Sequence, residues 1–142
     1  MPSTSRPLVY FNFGHGKIII ELDKIDCPRT CEMFLKLMKK ESMEGTKKQI
    51  LVNCDVRCNN FTLYFSCNHY FDFNNKGDRV KKKDGRSEWG LGIGRCFEDI
   101  VYFCLTPFPK DIPFFGRVVE GSENLVKNPG ERFTLIEYGV VQ

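Results

Sequence analysis

The chain has 142 residues, 42% of them hydrophobic and thirteen of them phenylalanine, enough for one domain that buries about 70% of its unfolded surface. Its 21 basic and 18 acidic residues leave a net charge of +3, a weak basis for a polyanion partner. No apolar run approaches the roughly 20 residues of a membrane span; seven cysteines, with no apolar signal core in residues 1–7, point to reduced thiols in the cytosol or nucleus.

Residues 1–7 read as a flexible tail before a single domain over 8–142. Residues 8–13 predict a strand, Gly14-His15-Gly16 a tight turn that uses glycine's tolerance of positive φ, and residues 17–22 the second arm of a hairpin. Pro28 suits the first position of a helix. Over 30–40 the apolar residues Cys31, Phe34, Leu35, Leu37 and Met38 recur at three and four, predicting one helical face with Lys36, Lys39 and Lys40 outside. After a Lys/Glu-rich linker, residues 49–56 predict a strand. From Phe61 to Phe73 the alternation of Phe61, Leu63, Phe65, Cys67, His69, Phe71 and Phe73 with polar residues and tyrosines predicts a long or bent antiparallel strand with one buried face.

Residues 74–86, with Lys81, Lys82 and Lys83, break that pattern and read as a solvent-facing loop. Gly90, Gly92 and Gly94 follow, then a strand over 100–106 rich in large residues. Residues 113–126, PFFGRVVEGSENLV, read as a strand through Phe114 and Phe115, a break at Glu120-Gly121, and a helix capped by Ser122. Residues 133–140 predict a closing strand. With no internal repeat, the expected architecture is mainly β, a closed antiparallel barrel with one or two flanking α-helices.

The stretch FFG-x-V-x-EG-x-E-x-x-V closely resembles the segment near the end of cyclophilins, the peptidyl-prolyl cis-trans isomerase family. Pro28, Thr30, Phe34 and Leu37 are similar to that family's "P-x-T-x-x-x-F-x-x-L" helix, and residues 8–22 and 133–140 to its first two strands and its last. The resemblance implies a cyclophilin-like barrel and, as partner, a proline-containing peptide or protein.

Prolyl isomerisation needs no nucleophile, metal or cofactor. The barrier of about 20 kcal/mol comes from amide resonance, so a catalyst needs an apolar pocket and a donor aimed at the rotating amide. In cyclophilins the donor is an arginine. The resemblance places Arg57 at that arginine, Phe61 and Leu63 at a pocket phenylalanine and methionine, and Tyr102 at the second pocket phenylalanine. It puts Phe108 near the tryptophan and Phe115 beside the groove. The departures are several. Arg57 and Phe61 stand one residue closer than in the family, Asn59-Asn60 replaces a Pro-Gly turn, Ile112 occupies the histidine position, and the Asn-Ala-Gly segment is missing around 94–98. The expectation is a degenerate cyclophilin-like domain that acts mainly as a binding or scaffold module with weak or no isomerase activity; the alternative is an active isomerase using Arg57.

Three further readings concern other residues. Cys54, Cys58, Cys67 and His69 are zinc-ligand types, but they sit inside strand patterns rather than on tight knuckles, so no metal is expected. Cys31 near a helix start is either an acidified thiol or core packing, with packing preferred. The basic loop from Lys76 to Arg86 lacks interleaved aromatics and reads as solvated charge rather than a nucleic-acid site.

Overall fold

The computed structural model describes residues 6–14, 16–39, 55–59, 62–66, 76–79, 89–95, 101–108, 112–125, 132–133 and 135–141. Leu8–Asn12 (β1) and Lys17–Leu22 (β2) form the expected hairpin, because alternation sends Val9, Phe11, Ile18, Ile20 and Leu22 inward, each at most 1% exposed. Gly14 provides the positive φ of 88° at its tip. The Phe13 amide donates to the Gly16 carbonyl at 2.9 Å and closes the loop. The chain is tied to the sheet just before β1: the Leu22 amide donates to the Pro7 carbonyl at 2.9 Å, and Arg6 pairs with Glu21 at 3.3 Å.

The helix Pro28–Met38 (α1) buries Cys31, Phe34 and Met38 and leaves Lys36 exposed, as its periodicity requires. Its capping position is Cys27, whose side chain is a poor acceptor for helix amides. The cap comes instead from Asp78, far along the sequence. That carboxylate accepts the Arg29 and Thr30 amides at 2.8 and 2.9 Å and the Thr30 hydroxyl at 2.6 Å. A backbone bond from the Arg79 amide to the Asp26 carbonyl at 2.6 Å holds this segment in place. A negative side chain there satisfies orphan donors and complements the helix dipole together. Asp78→Ala is expected to lower stability by about 1–2 kcal/mol, read as a lower urea midpoint at unchanged slope. An unmoved midpoint would show that the cap is dispensable.

The remaining strands are Asp55–Asn59 (β3), Thr62–Ser66 (β4), Gly90–Arg95 (β5), Val101–Thr106 (β6), Phe114–Glu120 (β7), Arg132–Phe133 (β8) and Glu137–Val140 (β9). They form one sheet in the order β8-β3-β4-β6-β5-β7-β2-β1-β9, with every neighbouring pair antiparallel. β8 and β9 stand at opposite ends of that order, yet only residues 134–136 separate them in the chain. Such a link spans no more than about 14 Å, so the two edges of the sheet approach and it curls into a barrel. The closing strand expected over 133–140 is therefore two strands, one pairing β3 and the other β1.

Two other expectations change. The helix expected after Ser122 is a single 3-10 turn, Ser122–Leu125. The Asn124 amide closes on the Gly121 carbonyl at 2.9 Å, and the Asn124 side chain donates to the Lys17 carbonyl at 3.1 Å, pinning the turn to β2. Of the two middle strands, Asp55–Asn59 overlaps only the end of the first expected span, and Thr62–Ser66 covers the start of the alternating run. Residues 49–54, Phe61 and residues 67–73 lie outside the described residues.

Aromatic rings fill the barrel interior against α1. The Phe34 ring meets those of Phe103 and Phe115 edge-on at 5.0 and 5.2 Å and that of Phe11 at 6.3 Å. Among the described residues, no helix is long and apolar enough to cross a membrane.

Candidate functional site

Strand register decides which residues share a side of the wall. Leu63, Leu105 and Leu91 form one rung across β4, β6 and β5, and all three are fully buried. Phe103 and Ile93, two residues away, turn to the same interior. Alternation therefore sends Tyr102, Cys104 and Thr106 of β6 to the outer side, with Gly90, Gly92 and Gly94 of β5 opposite them. The rung next to the leucines runs through Arg57, Tyr64, Cys104 and Gly92.

Against this register the expected site residues divide. The backbone position of Arg57 lies on the Cys104 rung, and Tyr102 lies two residues along β6 on the outer side. Phe108 follows β6 directly, partly buried, its amide donating to the Thr106 hydroxyl at 3.1 Å. Leu63 and Phe115 face the other way, 0% and 1% exposed, and their side chains are core. Phe115 belongs to the core cluster, while its neighbour Phe114, 7% exposed, pairs with Gly92 beyond a bulge at which the β5–β7 register passes from Leu91↔Gly116 to Gly92↔Phe114. Phe61 lies outside the described residues, as does the basic loop beyond Arg79.

The outer side of β6 and β5 is covered by the chain itself. Cys104 points away from the barrel interior yet is 0% exposed, and Thr106 and Thr62 are 1% and 6% exposed, their hydroxyls bonded at 2.9 Å. Ile112 lies across Gly92, where a Cβ would come within 2.7 Å of Ile112 Cδ1 and 3.1 Å of the Pro113 carbonyl oxygen. The Ile93 amide donates to that same Pro113 carbonyl at 3.0 Å. The Tyr102 ring lies over Gly94, where a Cβ would sit 2.5 Å from Cζ. An aromatic ring over a cross-strand glycine shields exposed backbone. Tyr10 does the same for Gly139, fixed by its hydrogen bond to Glu137 at 2.7 Å and by the Lys17 ammonium 4.9 Å from the ring centre.

Gly92, Gly94, Cys104 and Ile112 were not among the expected site residues. Their signal was a glycine at every second position of a strand, which marks a face that something else must cover.

The thiol readings resolve toward packing. Cys27 and Cys31 are buried, and their sulfurs lie 3.6 and 3.8 Å from the Phe114 and Phe115 carbonyl oxygens. Burial pushes the Cys31 thiol up to about 12, with smaller contributions from Cys27, Asp23 and Asp78 that Lys24 opposes. It is a neutral core group at physiological pH rather than an acidified nucleophile. Among the described residues no three metal-ligating side chains converge; Cys54, Cys67 and His69 of the zinc reading lie outside them.

No protein-family model matches the sequence, and no curated protein does either. Solved structures do match. A cyclophilin-type peptidyl-prolyl cis-trans isomerase of Cryptosporidium parvum superposes with a TM-score of 0.59 at 15% identity, covering 96% of this chain and 98% of that one. The Mimivirus cyclophilin superposes with a TM-score of 0.65 at 14% identity, covering 99% of this chain and 92% of its own. Over nearly its whole length, with a sheet curled so that its edge strands β8 and β9 approach and α1 packed on its interior, this chain adopts the cyclophilin fold.

Proposed function

We propose that the chain is a degenerate cyclophilin-like domain that binds a proline-containing peptide or protein segment, or serves as a scaffold, with weak or no prolyl isomerase activity. The observation that carries the reading is the covered outer wall. An isomerase needs an open apolar pocket beside its donor, because only interactions made with the rotated amide accelerate rotation. Here Ile112 and Tyr102 lie over the glycines of the wall, and Cys104, on the same rung as Arg57, is fully shielded. A wall closed in this way gives up rotational catalysis sooner than it gives up contact with a partner. The two similar structures, both cyclophilins by name, support the choice of a proline-containing ligand.

An X-Pro tetrapeptide isomerisation assay tests the catalytic half. Turnover indistinguishable from the uncatalysed rate is expected; clear turnover abolished by Arg57→Ala would establish the active-isomerase alternative. For the binding half, amide shifts on titration with a proline peptide should cluster on β6 and around Ile112. Shifts confined to other faces would make the domain a scaffold acting through a different surface.

A further inference from the structure

We propose that the outer face of β9, β1, β2 and β7 takes a second copy of this chain, stacked face to face with its strands reversed, as a weak homodimer. The proposal is independent of the peptide-binding reading, which concerns β6 and the residues lying over β5.

Register lays this face out in three rungs. Leu8 stands beside Glu21, Tyr10 beside Ile19 and Asn12 beside Lys17, all on the side away from the buried Val9, Phe11, Ile18, Ile20 and Leu22. The middle rung runs on to Gly139 of β9 and to Glu120 of β7. Val119, which the β2–β7 bulge leaves without a cross-strand partner, is 44% exposed beside it. Ile19, the Tyr10 ring and Val119 thus give the face an apolar centre.

The charges at its two ends select a second copy as the occupant. At one end Glu21 sits between two guanidinium groups, Arg6 and Arg117, each 3.3 Å from its carboxylate. At the other end Lys17 stands between Glu137 and Glu120. Its ammonium lies over the Tyr10 ring, whose hydroxyl bonds to Glu137, and Glu120 is on the neighbouring strand. Across the strands one end reads basic, acidic, basic, and the other acidic, basic, acidic. A two-fold axis lying in the face and crossing the strands at Ile19 keeps each strand over its own counterpart and exchanges the two ends. Arg6, Glu21 and Arg117 then meet Glu137, Lys17 and Glu120 of the second copy, with Ile19 on Ile19 at the axis. Stacking with the strands parallel would set each end on its like. Packed sheets cross at about 30°, which displaces groups ~7 Å from the axis by about 3–4 Å, within the span of these side chains. Four strands of five residues cover about 19 by 17 Å, less than the ~800 Å² per partner of a standard interface. The dimer is therefore weak and concentration-dependent.

Sedimentation velocity on the full chain, from about 10 μM to 1 mM, tests this, and a reversible monomer–dimer equilibrium is expected. Ile19→Lys sets two ammonium groups against each other at the axis and should raise the dimer dissociation constant about tenfold or more. Arg117→Glu and Glu120→Arg should each do the same, because each makes the two ends alike in sign. Both are substitutions of exposed side chains, so their urea midpoints should stay close to that of the wild type. Mixed one to one, these two variants again present opposite signs at both ends, and the dimer should return to within about threefold of the wild-type affinity.

A wild type that stays monomeric over the whole range would overturn the proposal and leave the face to a different protein. A dimer indifferent to all three substitutions would overturn it by placing the interface elsewhere. Failure of the mixture to dimerise, with both variants folded, would overturn the reversed stacking. If Ile19→Lys lowers the urea midpoint, the mixture alone decides, since its rescue requires two folded partners.

Discussion

Phe34→Ala is expected to remove about 3–5 kcal/mol of folding free energy, against a total of about 5–15 kcal/mol for a domain of this kind. Phe34 is the point at which α1 locks onto the barrel. It is 0% exposed, its ring meets Phe103 of β6 and Phe115 of β7 edge-on at 5.0 and 5.2 Å, and it reaches Phe11 of β1 at 6.3 Å. Truncation leaves a cavity bounded by three strands that are themselves held in one continuous sheet, so the walls cannot readily collapse to fill it. The measurement is chemical denaturation followed by far-UV circular dichroism, comparing Phe34→Ala with Phe34→Leu. The leucine variant should recover most of the loss, since it restores most of the volume. A loss below about 1 kcal/mol for alanine would mean that the helix is not seated in this core.

Gly121→Ala should be nearly as damaging, although glycine to alanine is often neutral or stabilising elsewhere. Gly121 has φ of 85°, and a Cβ there would overlap the Lys17 carbonyl oxygen and lie 3.1 Å from the Ile18 Cα. The atoms in the way are backbone of β2, fixed on one side by β1 and on the other by β7. The 3-10 turn would have to leave the sheet, breaking the Asn124 bond to Lys17 and exposing Leu125, now fully buried. Leu125 alone is worth about 1.5–3 kcal/mol. Gly77 supplies the control: its φ is 92°, but nothing stands within 4 Å of its Cβ position. Gly77→Ala should therefore show only the left-handed backbone cost of about 1 kcal/mol. Equal losses at the two positions would mean that the clash at Gly121 is relieved without moving the turn.

The covered wall alters what a loss of catalysis would mean in this fold. If the pocket were simply missing side chains, restoring them would restore activity. On the proposed reading, with Ile112 over Gly92 and Tyr102 over Gly94, new pocket residues would act only once that cover moves. The same residues that shield the wall stabilise it, because they lie over backbone that Gly92 and Gly94 would otherwise leave bare. On that reading, stability and an open site are opposed at β5.

Local residue patterns specified whatever a few neighbouring residues can specify. Alternation in β1 and β2, the three-and-four spacing from Cys31 to Met38, and the strand-turn pattern from Phe114 to Ser122 identified the elements, and their motifs carried the resemblance to cyclophilins at both ends of the chain. Which residues meet was set by the packing of distant strands. It capped α1 with Asp78 and split the closing strand so that it pairs both edges of the sheet. It also turned Leu63 and Phe115 into the core, and laid Ile112 on Gly92. The reason is one of range. Periodicity tells that a strand has two faces, but which face looks inward, and what covers the other, depends on register and bulges set by strands dozens of residues away.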